Sequence, residues 1–99
     1  MKTQYYDRLE KRSPRARESA LMDALPGLLG HAKRRAPGWA KILSQINHSR
    51  INSRKALATL PVTRKSDLGL LQKNTPPLGG LNATPVEKLG KLFITPGPI

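Results

Sequence analysis

A chain can fold only around what it can bury, and this one has little: Leu, Ile, Val and Phe make up 23 of its 99 residues. That share lies just above the roughly one-fifth level below which strongly charged chains stay disordered. The aromatic side chains are Tyr5, Tyr6, Trp39 and Phe93, so packing must rest on leucine and alanine. A domain of this length buries a modest part of its surface, and marginal stability is expected.

Where the leucines fall therefore decides the architecture. Between residues 14 and about 36, Leu21, Leu25, Leu28, Leu29, Ala32 and Ala36 recur at three- and four-residue steps, which places them on one helix face. Ser13 can cap the free amides at the start, and Pro14 gives up only a donor that the first turn leaves unpaired anyway. Pro26-Gly27 in the middle predicts a kink or a break, because proline removes a ladder donor and crowds the preceding turn. Lys33, Arg34 and Arg35 suit the negative C-terminal end, and Pro37-Gly38 stops the helix.

Shorter elements follow. Residues 38 to about 46 read as a helix with Trp39, Ile42 and Ile46 on one side and Trp39 plugging the core. Ser53 can cap a helix that passes Leu57 and ends before Pro61; Thr63 can cap another over residues 64 to about 73, with Leu68 and Leu71 inward and Asp67 near the positive end. Thr75-Pro76-Pro77-Leu78-Gly79-Gly80 is a loop. Thr84-Pro85 can open one helical turn reaching Leu89, and residues 91–95 read as a strand. The expected fold is mostly α: an N-terminal helical segment over 1–74, then a loop and first strand over 75–99 that lead into an α/β or α+β large domain. This is an incomplete fold, since a lone strand has no partner for its backbone groups.

The charge, +12, invites a nucleic-acid reading, but its distribution weakens it. Residues 1–66 carry +11 and residues 67–99 only +1, and the cations stand in small groups such as Lys11-Arg12, Lys33-Arg34-Arg35, Arg54-Lys55 and Arg64-Lys65. Dispersed charge of this kind is more often a solvated surface than a binding run. The chain has no cysteine, which excludes disulfides, thiolate zinc sites and a cysteine nucleophile and suits a reducing compartment. The first 19 residues hold no apolar signal region, Asp7, Glu10 and Glu18 argue against a transit peptide, and no stretch has the length of a membrane span. A cytoplasmic protein without membrane association is expected.

Catalytic constellations do not assemble on paper. His31 and His48 have no cysteine or acidic cluster at ligand spacing, Asp23 and Asp67 are isolated, and the serines lack the Gly-x-Ser-x-Gly setting of a nucleophile elbow. Two loops could cradle phosphate. "PPLGGL" matches neither the Walker nor the dinucleotide pattern, and "ITPGPI" follows a strand but loses two backbone donors at Pro96 and Pro98.

The segment "LPVTRKSDL", residues 60–68, resembles the "LP-x-T-x-K-x-D-L" segment near the N-terminus of phenylacetate-CoA ligase-like enzymes, members of the superfamily of adenylate-forming acyl-CoA ligases. Other parts agree in order. "YYDRLEKRSPRARESALMDALPGLLGHAKRRAPGW" looks like the opening segment and first helix, and "PPLGGLNATPVEKLGKLFITPGPI" like the passage into the first strand and loop of the large domain. The likeness covers residues 5–99, and the order of the motifs carries more weight than any one of them.

The resemblance implies a two-step chemistry, in which a carboxylic acid is joined to AMP with ATP and Mg²⁺ and the acyl group then passes to coenzyme A. It implies a Ser/Thr- and Gly-rich phosphate loop after the first strand; here Thr95 and Gly97 match it in part, while Pro96 and Pro98 depart from it. The other catalytic, metal-binding and coenzyme-binding elements of the family have no counterpart in this chain. The chain is then the N-terminal fragment of a ligase-like protein, inactive alone, with the rest of the large domain as its partner. Two alternatives belong to other classes: a small basic helical protein that binds nucleic acid, known by steep salt dependence, and an interaction module using the leucine face of residues 21–36.

Overall fold

The first ordered turn is set by two carboxylates. Asp7 accepts from the amides of Leu9 (2.9 Å) and Glu10 (3.4 Å), while Glu10 reaches back to the amide of Tyr6 at 2.8 Å. Donors that a helix start leaves free are thereby satisfied from both sides, and a 3-10 turn, Arg8–Lys11, results. The computed structural model describes residues 4–96.

Helix α1 (Pro14–Arg35) follows, with Ser13 Oγ accepting from the Ala16 amide at 3.1 Å as its N-cap. The break predicted at Pro26 does not form: α1 runs through it as one helix of 22 residues. A proline deletes a single ladder donor, and half-buried Leu25 and Leu29 anchor the helix on both sides of it. Ala36 then serves two helices. Its amide donates to Ala32 O and its carbonyl accepts from the Ala40 amide, both at 2.9 Å, and its side chain is buried at the bend. Pro37 stops α1 as expected and is also the first residue of α2 (Pro37–Ile42), where its missing donor costs nothing.

Helix α2 is shorter than its apolar spacing predicts, and beyond it the chain tightens into turns, with Ser44 donating to Lys41 O and Ile46 to Leu43 O. Another 3-10 turn, His48–Arg50, brings the chain back against α1. The approach needs a glycine. A Cβ on Gly30 would lie 2.8 Å from His48 Nε2 and 3.1 Å from an Arg34 guanidinium nitrogen, so the buried Gly30 is the notch in α1 that admits the histidine ring. Lys33 Nζ ties the same two parts together by donating to Ile46 O at 2.7 Å. The buried apolar residues, Ala36, Leu43 and Ile51, all belong to this unit of α1, α2 and the returning turn.

Next comes α3 (Arg54–Leu57), capped as predicted by Ser53 Oγ on the Ala56 amide at 3.1 Å. Helix α4 (Lys65–Asn74) begins with Arg64 at the N-cap and has no side-chain cap bond, so Thr63 does not take the capping role expected of it. Asp67 does sit in its first turn. After α4 the chain folds back through residues 75–80, where Gly79 and Gly80 adopt φ of +70° and +73°. Side chains rarely adopt that region, which is why the loop carries two glycines. Gly80 O accepts from the Gly38 amide at 2.7 Å and fastens the loop to the start of α2.

Past a 3-10 turn, Val86–Lys88, the described residues form no further regular element. The strand predicted over residues 91–95 is not formed, and among the described residues there is no strand. No neighbouring segment supplies a ladder, and an unpaired strand gains nothing from its β-branched and aromatic side chains. Phe93 and Ile94 are instead 86% and 95% exposed. The architecture is mostly α, with a radius of gyration of 16.9 Å, against about 13 Å for a compact domain of 100 residues.

Candidate functional site

The two residues singled out for phosphate binding separate at once. Thr95 lies in the exposed segment without regular structure, and Gly97 falls outside the described residues. An anion cradle needs several backbone amides converging on one point. Thr95 offers one amide and one hydroxyl, Pro96 offers no amide, and no helix follows within the described residues.

The titratable groups tell a similar story. His31 is exposed on α1, and His48 is the packing histidine that fills the Gly30 notch. Asp23 is exposed mid-helix, and Asp67 belongs to the start of α4. Among the described residues, His, Asp and Glu side chains do not gather in a group of three or more. Of the basic groups, Lys33 is occupied by Ile46 O and Arg54 pairs with Glu18, an exposed pair worth little to stability. Lys33, Arg34 and Arg35 stand in the last turn of α1, where the helix dipole favours them.

What the fold does build is an apolar groove. Helix α1 lines it with Leu28, Leu29 and Ala32, the α2 region with Trp39 and Leu43, and the link between α3 and α4 with Leu60, Pro61 and Thr63. Its volume is about 390 Å³. Leu28 stays exposed on α1 rather than entering the core, which leaves the groove open. Trp39, expected to plug the core, is half-buried and lines this groove. Leu43, Leu60 and Thr63 were not legible as site residues; the one hint was that "LPVT" combines two apolar residues with a proline where a helix cap was sought.

Comparison with models of protein families, with curated proteins and with solved structures finds no match to this chain. No helix among the described residues is long and apolar enough to cross a membrane.

Proposed function

We propose that the chain is the N-terminal helical segment of a phenylacetate-CoA ligase-like protein of the AMP-forming acyl-CoA ligase superfamily, and that its task is to brace the large domain. The observation that carries this reading is the place of "LPVTRKSDL", one of the segments in which the resemblance lies. Its Leu60, Pro61 and Thr63 line an open apolar groove. A second support is the amount of apolar side chain left without cover, Leu92, Phe93 and Ile94 included, which suits a segment completed by further protein. ATP, Mg²⁺ and coenzyme A would then be held by the remainder of a full-length relative, in the cytoplasm, and this segment alone catalyses nothing. A nucleic-acid role has less behind it, because the cations are dispersed and several of them, Arg12, Arg17, Lys33 and Arg54, already have partners within the chain.

The test is complementation. A ligase of this family from which the matching N-terminal segment has been deleted is expressed with and without this chain. The expected result is co-purification and a gain of soluble, acid-dependent acyl-CoA formation, while the chain alone gives no acid-dependent exchange of pyrophosphate into ATP. Acyl-adenylate formation by the chain alone, or a truncated ligase indifferent to its presence, overturns the proposal.

A further inference from the structure

At one place the fold gathers cations that the sequence scatters. Arg54, the first residue of α3, reaches across 36 residues of chain to pair with Glu18 on α1. That pair lines a cavity of about 390 Å³, completed by Pro14, Arg15, Arg17 and Leu21. Three guanidiniums and one carboxylate leave the cavity with two positive charges in excess.

Like charges held together repel, and an anion that enters relieves them. The donors to receive one are present. Arg17 gives one amino group to Arg12 O at 3.3 Å, but a guanidinium carries five N–H donors in a planar fork that fits the oxygens of a phosphate or a carboxylate. The Arg54 side chain is 79% exposed, and so exposed a pair holds weakly, which lets an incoming anion take the place of Glu18. A phosphate monoester matches the excess best, with a charge of about −1.5 to −2 at pH 7 and three oxygens to share among the forks. A carboxylate brings a single charge, and a nucleic-acid backbone strings single charges along a track, whereas these cations line one cavity. Pro14 and the exposed Leu21 offer the carbon part of an ester an apolar wall.

We infer that the cavity between the start of α1 and Arg54 is a binding site for a small organic phosphate monoester. Arg15, Arg17 and Arg54 receive the phosphate, Glu18 is the carboxylate it displaces, and Pro14 and Leu21 meet the carbon chain. The inference does not depend on the ligase-segment reading, since none of these residues lies in the apolar groove or in residues 60–68.

The full chain is titrated calorimetrically with butyl phosphate at low ionic strength, where exposed charges are least screened. Inorganic phosphate, dibutyl phosphate and a single-stranded DNA oligonucleotide are run beside it. The expected result is saturable binding of butyl phosphate at one site per chain, weaker binding of inorganic phosphate, which lacks the carbon chain, and none of dibutyl phosphate, which carries a single charge. Arg15→Gln and Arg54→Gln should each weaken binding about tenfold, the usual loss with a charge-assisted hydrogen bond. Arg64→Gln, the same loss of charge away from the cavity lining, should leave it within about twofold. Glu18→Gln should tighten binding, because it removes the competing carboxylate, whereas Asp23→Asn, an equal change at another position of α1, should not. Circular dichroism of each variant checks that the helices are retained.

Absence of saturable binding by butyl phosphate, several sites per chain, equal losses in the Arg15, Arg54 and Arg64 variants, or weaker binding by Glu18→Gln each overturns the inference. So does a DNA strand that binds where butyl phosphate does not, which would make the cations part of a nucleic-acid surface. Failure here leaves the ligase reading untouched, since rescue of the truncated ligase is measured without the ester; binding of the ester by a chain that rescues nothing does the reverse.

Discussion

The first half of this chain and its last dozen described residues hold comparable apolar side chains and use them in opposite ways. Around α1 and α2, Ala36, Leu43 and Ile51 are buried, a glycine notch admits His48, and backbone and side-chain bonds join parts of the chain more than ten residues apart. From Leu92 to Ile94 the side chains are larger, yet all are exposed and their backbone makes no ladder. The difference lies in geometry, since the hydrophobic effect rewards both alike per unit of area. A helix satisfies its own backbone and needs only one face covered, so one long helix and two short helical pieces can make a small core from a poor supply of leucine. A strand must first find another strand.

The largest expected effect tests whether the helical unit is a cooperative core. Leu43→Ala truncates one of the two large side chains among the three buried apolar residues, and truncations of this kind cost about 2–5 kcal/mol. In a chain with so little buried apolar surface, that loss should exceed what holds the unit together. Circular dichroism at 25 °C should show helix content falling well below that of the parent chain. An unchanged melting curve would mean that the helices stand independently and that the core is one in name only.

A smaller effect sharpens the boundary between the regions. Gly38→Ala would place a Cβ 2.8 Å from Gly79 O and 2.9 Å from Gly80 O, backbone atoms that cannot rotate away. The helix-propensity gain of about 0.5–1 kcal/mol is outweighed by overpacking of about 1–3 kcal/mol, together with strain on the Gly38–Gly80 bond. The loop of residues 75–80 should come off α2 while α1 and α2 persist. Amide exchange checks this: the Gly38 amide should lose protection and the Ala36 amide, bonded within the α1 turn, should keep it.

Helix α1 was legible because its signals are local. Its leucine period, the Ser13 cap, Pro14 and the terminal cations are all fixed within a few residues; the structure uses the cap, the proline and the cations, while of the leucines Leu25 and Leu29 are half-buried and Leu21 and Leu28 stay exposed. The same holds for Ser53 and α3. What the sequence did not disclose is long-range. Gly30 matters because His48 arrives from 18 residues away, and Thr63 lines a groove because α1 lies opposite, so neither role has a local signature. Pro26 misled for a related reason: its local cost is real, but packing on both sides of it prevails. The candidate phosphate residues, Thr95 and Gly97, were singled out on a strand that only a sheet could have completed.

The smallest effect on stability belongs to the exposed run, and it is the most informative about the comparison. Phe93 touches little, so Phe93→Ser should leave thermal unfolding of the helical unit within about 0.5 kcal/mol, the usual range for exposed positions. The same substitution should nevertheless lower the binding of an apolar dye and reduce any concentration-dependent association seen by sedimentation, because it removes the largest uncovered side chain of the run. A clear loss of stability would place Phe93 against the helices in solution and erase the contrast between the two regions. Unchanged stability with reduced dye binding would establish that residues 92–94 are uncovered apolar surface, and that the helical unit folds without them.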